Sequence, residues 1–262
     1  MVEGVREDWA PGDLVLLPIK PGGVEHQHFD AEPPQGARWL AFLYLPHFQH
    51  LASAIRQVEN SPGYQQRTGT AAVVVDDDTP YNPNRDFTGF PRDSFGAAVK
   101  TNNGFNGYSG LMKRRDDERA RVAEVDTVVH GDALAWETNP QGIMQWYLHP
   151  DLPERLLRSY LFYRQEIPGE SRSGKQKHQG GAIFFFTEGR GHTIIDGERF
   201  DWEKEDLIQL PLRPDGVAYQ HFNDSRGPAR LIACEPNYFD SLGFDRGSGL
   251  VQLANCPEYD RL

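Results

Sequence analysis

Hydrophobic and polar positions alternate most regularly between residues 158 and 245. The stretch AIFFFTEGRGHTIIDGERFDW, residues 182–202, holds three short apolar runs parted by EGRG and DGE. Runs of this length bounded by Gly and Asp predict antiparallel strands joined by tight hairpins. YLFYRQEI before them, and DLIQLPLRP and VAYQHF after them, continue the pattern. A different period appears at residues 46–59, where Phe48, Leu51, Ile55 and Val58 predict a helix that carries His47 and His50. Between 60 and 105 only AAVVV reads as a strand, and the triple Asp76–Asp78 reads as a solvated turn. MKRRDDERAR, residues 112–121, predicts an exposed, densely charged face.

The N-terminal region repeats part of the strand-rich region. Sliding residues 8–30 onto residues 201–223, a shift of 193, leaves 12 of 23 positions identical, among them Asp8, Trp9, Asp13, Pro18, Gly23, His28 and Phe29. Chance would leave about one or two at ordinary residue frequencies. After a one-residue gap the match resumes, ARWLAF at 37–42 against ARLIAC at 229–234. PGGVEHQHFD (21–30) and PDGVAYQHFN (214–223) are therefore two copies of one element, with His26 in the first facing Tyr219 in the second.

Bulk properties narrow the class. The chain has 262 residues, 26 glycines and 19 prolines, which suits a turn-rich β protein. A formal charge of −11 argues against nucleic acid and anionic membrane as partners. Two cysteines without a CxxC pair exclude a disulfide framework or thiolate zinc site, and no run approaches the length of a membrane helix. The expectation is a cytoplasmic protein.

The stretch from His178 to Asn223 resembles the cupin superfamily, and in particular the two-barrel cupins around gentisate 1,2-dioxygenase. In that family one motif carries His-X-His, often with a Glu and then a Gly. A second carries Pro, Gly, His and Asn. The resemblance covers about residues 1–45 and 158–245. It implies a mainly β fold, the cupin double-stranded β-helix or jelly-roll barrel, as a bicupin whose N-terminal barrel is incomplete. The domains expected are a partial N-terminal repeat plus helix (1–60), a connecting arm (61–157) and a C-terminal barrel (158–262).

The family's metal motif falls on Gln176, His178 and Tyr219, with Ala182 at its optional Glu and Asn223 at its Asn. Strand alternation predicts that Gln176, His178, Tyr219 and His221 face inward together. The metal candidates are His178 and His221, with His26 and His28 in the first copy. The resemblance implies Fe(II) or another divalent metal; a metal-free interior of mutually bonded polar groups satisfies the same residues. As a dioxygenase the protein would take an aromatic acid, with Gln176, Tyr219, Arg164 and Arg213 as substrate-binding residues and Lys175 and Lys177 as further cations. As a non-catalytic cupin it would bind a small molecule or another protein. A homo-oligomer is expected, one copy or the middle segment completing the N-terminal barrel. His130 and His149 read as structural, and His192 as a solvent-facing strand residue.

Overall fold

The computed structural model describes residues 1–17, 24–31, 36–42, 107–155, 157–213, 215–237 and 251–262. The expected helix at 46–59, with His47 and His50, and the run AAVVV lie outside these residues. The chain divides into two units, Met1–Pro18 with Gly107–Leu262, and Ile19–Asn106.

The larger unit contains β1 (Leu14–Val15), α1 (Gly107–Glu124), β2 (Val128–Val129), β3 (Glu137–Asn139) and β4 (Gly142–Leu148). Eight strands follow: β5 (Tyr160–Ile167), β6 (Lys175–His178), β7 (Ile183–Glu188), β8 (Arg190–Ile195), β9 (Glu198–Glu203), β10 (Leu207–Gln209), β11 (Val217–Asn223) and β12 (Ala229–Pro236). β13 (Val251–Ala254) comes last. From β5 to β12 the pairing is that of one long hairpin. β8 pairs with β9, β7 with β10, β6 with β11 and β5 with β12, all antiparallel. The ribbon then rolls up, so that β12 also pairs with β7 and β11 with β8. This is the strand order of a jelly roll, or double-stranded β-helix. The fold is a mainly β barrel, as the sequence pattern predicts.

Additional strands widen both sheets. One runs β10-β7-β12-β5-β4-β3, the other β13-β6-β11-β8-β9. Alternation fills the space between them: Phe184, Phe186, Leu231, Val217 and Tyr219 are each buried to within 1%. Phe186 stacks on Trp202 at 3.7 Å between ring centroids. Burying one such aromatic ring contributes about 2–3 kcal/mol, so the interior sheet faces provide the main stabilisation.

The hairpin at the tip of the ribbon turns on Asp196 (φ 48°) and Gly197 (φ 93°), the two left-handed residues that a type I′ turn needs. The first copy reproduces that turn at Glu3 (φ 52°) and Gly4 (φ 79°), which are bridged by Val2 and Val5. Asp206 Oδ2 accepts the Glu203 N–H at 2.8 Å, and Asp13 Oδ2 accepts the Ala10 N–H at 2.9 Å. The duplication is thus visible in backbone conformation as well as in residue identity.

One expectation changes. Residues 137–148, assigned from sequence to a connecting arm, form β3 and β4 and extend the large sheet beside β5. Met144 and Trp146 lie opposite Gln165 and Tyr163 and join the core, which places this segment inside the barrel domain. Beyond the Glu3–Gly4 turn and the Asp13 hydrogen bond, the first copy pairs differently from the second among the described residues. Its β1 pairs with β2 of the middle segment, and residues 24–31 carry only an isolated bridge at His26. The charged run 112–121 lies within α1, where Lys113 and Asp117 pair across one turn. No helix among the described residues is long and apolar enough to cross a membrane.

Asn223, at the end of β11, ties the loop after β5 to the loop after β11. Its Nδ2 donates to the carbonyls of Ile167 (2.9 Å), Pro168 (3.0 Å) and Gly227 (2.8 Å), and its Oδ1 accepts the Ser225 N–H (2.9 Å). Asn223→Ala strands these buried groups and is expected to lower stability by about 2–4 kcal/mol in urea unfolding, several hydrogen bonds failing together. Asn223→Asp keeps the acceptor but loses the donors, so it falls on the same side. A loss within about 0.5 kcal/mol, the range of an ordinary surface substitution, would contradict the role.

Candidate functional site

The burial pattern of β6 and β11 follows strict alternation, and it brings together the four positions expected to face inward. Gln176, His178, Tyr219 and His221 are 6%, 2%, 0% and 0% exposed. Cross-strand register sets Tyr219 opposite Gln176 and Val217 opposite His178. Tyr219 Oη donates to Gln176 Oε1 at 2.7 Å, and Gln176 Nε2 donates to Gln252 Oε1 on β13 at 3.0 Å. Two residues at motif ligand positions are therefore bonded to each other and to the chain.

Two further polar residues complete the interior. Glu235 on β12 is 1% exposed, and Tyr163 on β5 donates to its Oε1 at 2.6 Å. Neither was identified from the sequence. The signal was the alternation Ala229, Leu231, Ala233, Glu235, which places a carboxylate on the inward face of a strand otherwise lined by small and apolar residues. Burial, reinforced by the Glu235 charge, raises the Tyr163 and Tyr219 phenols well above their ordinary range. Both hydroxyls therefore stay protonated and act as donors.

The histidines are similarly engaged. His178 Nδ1 accepts the Gly180 N–H at 3.1 Å, so the neutral ring carries its proton on Nε2, which lies 3.9 Å from Glu235 Oε2. His221 Nδ1 lies 2.7 Å from Thr193 Oγ1, which also accepts Trp202 Nε1–H at 3.1 Å. The His221 ring sits against Phe184 (4.7 Å) and Phe186 (5.6 Å), and burial pushes its pKa down to about 3. His221 Nε2 and Glu235 Oε2 are buried without a hydrogen-bond partner.

These donors do not fit the Fe(II) centre that the family motif implies. A divalent metal of this kind needs several lone pairs converging within one coordination sphere. His178 has committed Nδ1 to a backbone N–H, Tyr219 keeps its proton, and Gln176 bonds both Tyr219 and Gln252. Among the described residues, the one group of three His, Cys, Asp or Glu side chains with ligating atoms within 4.8 Å is His192, Asp201 and Asp224, outside the barrel. The structure brings His178 and His221 into one interior with their rings placed by hydrogen bonds, and among the described residues neither belongs to such a group of three.

The expected cations lie elsewhere. Arg164 projects from the opposite face of β5, where its Nε donates to Gln145 Oε1 at 2.9 Å and its guanidinium sits 5.0 Å from the Trp136 ring centre. Arg213 is outside the barrel, paired with Asp196 at 2.7 Å. Lys175 and Lys177 are exposed on the outer face of β6. Strand alternation explains all four, because each is one residue out of phase with the inward set or beyond it. His26 and His28 belong to the smaller unit and are both exposed. Their rings meet edge-on at 5.6 Å, and His28 lies 4.8 Å from Trp39, which is aromatic packing.

His192 also departs from expectation. Its side chain is only 13% exposed, because it stacks face-on over Phe222 at 4.6 Å and bonds Asp224 Oδ2 at 2.8 Å. Arg199 ties Asp201 (2.7 Å) and Asp224 (3.2 Å) from the same side, so a guanidinium already compensates these carboxylates. His130 bonds Asp13 at 2.9 Å, and His149 packs edge-on against Trp146.

No family profile matches the sequence, and no curated protein matches it. The solved structures similar to it are cupin-fold proteins. A predicted oxalate decarboxylase from Thermotoga maritima is 18% identical, over 40% of this chain and 95% of that one, with a TM-score of 0.35. A Cupin 2 conserved barrel domain protein from Salinispora arenicola is 17% identical over 38% and 79%, at 0.33. The DMSP lyase DddQ from Ruegeria pomeroyi is 12% identical over 47% and 62%, at 0.35. At such values the assignment of fold rests on the strand order described above.

A buried neutral His221 has a pH signature. Its folded pKa lies below the unfolded value of about 6.5, so between pH 6.5 and about 3 the unfolded chain binds the extra proton. Stability contributed by the neutral ring is complete above pH 6.5 and declines as pH falls through that window. His221→Gln, which cannot titrate, is expected to flatten the fall in Tm between pH 6.5 and 4 relative to the parent. Parallel Tm curves for the two proteins would refute this.

Proposed function

We propose that this protein is a cupin-type jelly roll, related to the gentisate-type two-barrel dioxygenases, that acts as a non-catalytic binding or assembly module. The observation that carries the reading is the Tyr219–Gln176–Gln252 chain of hydrogen bonds, which occupies motif ligand positions with donors and acceptors already satisfied. A ring-cleaving reaction also needs a group that orients an aromatic carboxylate. Arg164, Arg213, Lys175 and Lys177, the cations available for that task, point away from the interior. The interior instead holds a buried acidic side chain, Glu235, bonded by the Tyr163 hydroxyl.

In this role the barrel serves as a rigid frame, and recognition belongs to its outer surfaces and strand edges, where a small-molecule ligand, another protein or a second copy of the chain would meet it. A dioxygenase reading would require His178 to release Gly180 N–H and Tyr219 to leave Gln176 before either offered a lone pair.

Metal analysis separates the two. Protein purified without chelator, and again after incubation with Fe(II), Mn(II), Ni(II) and Zn(II) followed by desalting, is expected to retain well under about 0.1 equivalent of any of them at the interior. Near-stoichiometric metal that is lost in His178→Ala but kept in Asp224→Asn would overturn the proposal and restore the enzyme.

A further inference from the structure

A jelly roll of two sheets has two long seams, and this one treats them differently. Along one seam β13 is added to the edge of the five-stranded sheet, beside β6. Its Gln252 Nε2 donates to the Pro140 carbonyl (3.2 Å) in the β3–β4 turn, and Cys256 N–H donates to the same carbonyl at 2.8 Å. Gly174 permits this approach, since a Cβ there would lie 2.2 Å from Gln252 Nε2. An extended segment thus closes that seam by joining one sheet and bonding to the other.

Along the other seam no such segment is present among the described residues. β9 pairs only with β8, and β10 only with β7, so each ends its sheet. Between them is a hollow with Phe200, Leu207 and Pro211 in its wall. Phe200 and Leu207 are each 43% exposed, and apolar side chains beside an open sheet edge invite a pairing partner. Asp196, Glu198, Asp201 and Asp206 line the same hollow against a single cation, Arg213, which Asp196 already holds. Glu198 and Asp206 have no cation within ion-pair distance among the described residues.

We propose that the β9–β10 seam is a docking site for an extended polypeptide segment that alternates apolar and basic residues. Main-chain hydrogen bonds would add it to the free edge of β9, as β13 is added to β6. Apolar side chains on one face of the segment would cover Phe200 and Leu207. Basic residues would answer the acidic wall, whose surplus of carboxylates favours a cationic occupant over an anionic one. This surface gives a partner to the binding role proposed above, yet metal loading does not bear on it, so the two readings fail separately.

The test is fluorescence anisotropy of the full chain with a labelled ten-residue peptide of alternating Val and Lys, and with its Val and Glu counterpart. The Lys peptide is expected to bind at least tenfold more tightly, with affinity falling several-fold as salt rises from 50 to 300 mM. Phe200→Asp and Leu207→Asp are expected to weaken it at least tenfold, and Glu198→Lys several-fold, with Tm checked to remain near that of the parent. An exposed position such as Lys113→Asp serves as a control for folding and overall charge. Equal binding of both peptides, no binding of either, or affinity unchanged in Phe200→Asp would overturn the proposal. So would a concentration-dependent dimer in sedimentation velocity that Phe200→Asp abolishes, because the occupant would then be a second copy.

Discussion

Tyr219 and Gln176 meet across a strand pair with their polar ends sealed from water, and the rest of the barrel interior is arranged around that contact. A buried hydroxyl or amide without a partner costs about 1–3 kcal/mol, so two such groups on neighbouring inward positions must satisfy each other or be satisfied from outside. Both occur here. Tyr219 donates to Gln176, and Gln176 donates onward to Gln252. The second link reaches out of the eight-stranded roll and secures β13, so a contact in the core also holds the strand that closes one seam.

Around it, most of the remaining polar groups follow the same constraint, His221 Nε2 and Glu235 Oε2 being the interior atoms left without a partner. Tyr163 serves Glu235, Gly180 serves His178, and Thr193 with Trp202 serves His221. The aromatic rings of Phe184 and Phe186 separate these sets and keep them dry. The lone pairs of His178 Nδ1 and Gln176 Oε1 are turned toward protein donors. The barrel thereby gains rigidity, while backbone groups at the sheet edges and exposed apolar side chains remain available.

Much of this organisation can be read without coordinates. Short apolar runs between Gly and Asp turns located β7, β8 and β9, and the repeat identified residues 8–30 as a second copy of 201–223. Period-two alternation placed Gln176, His178, Tyr219 and His221 on one face. Reading failed where long-range pairing decides the outcome. IMQWYL resembled a mixed linker because its apolar residues serve both a core and an outer contact, and only pairing with β5 makes it a strand. Arg164 and Arg213 looked available as cations because sequence records charge but not the side of a sheet. Glu235 was overlooked because a single acidic residue near a strand end carries no local mark of burial.

The sequence by itself determined the roll. Turn chemistry at Asp196 and Gly197, inward–outward alternation and the order of short strands specify that ribbon, because each acts between near neighbours along the chain. Only the tertiary structure decided what the interior does. Whether His178 offers a lone pair depends on the Gly180 N–H, whether Tyr219 stays protonated depends on burial beside Glu235, and whether a seam is open depends on a strand more than seventy positions after β6. Such choices come from groups distant in sequence that meet in a water-free space, where the local environment sets the state of each proton.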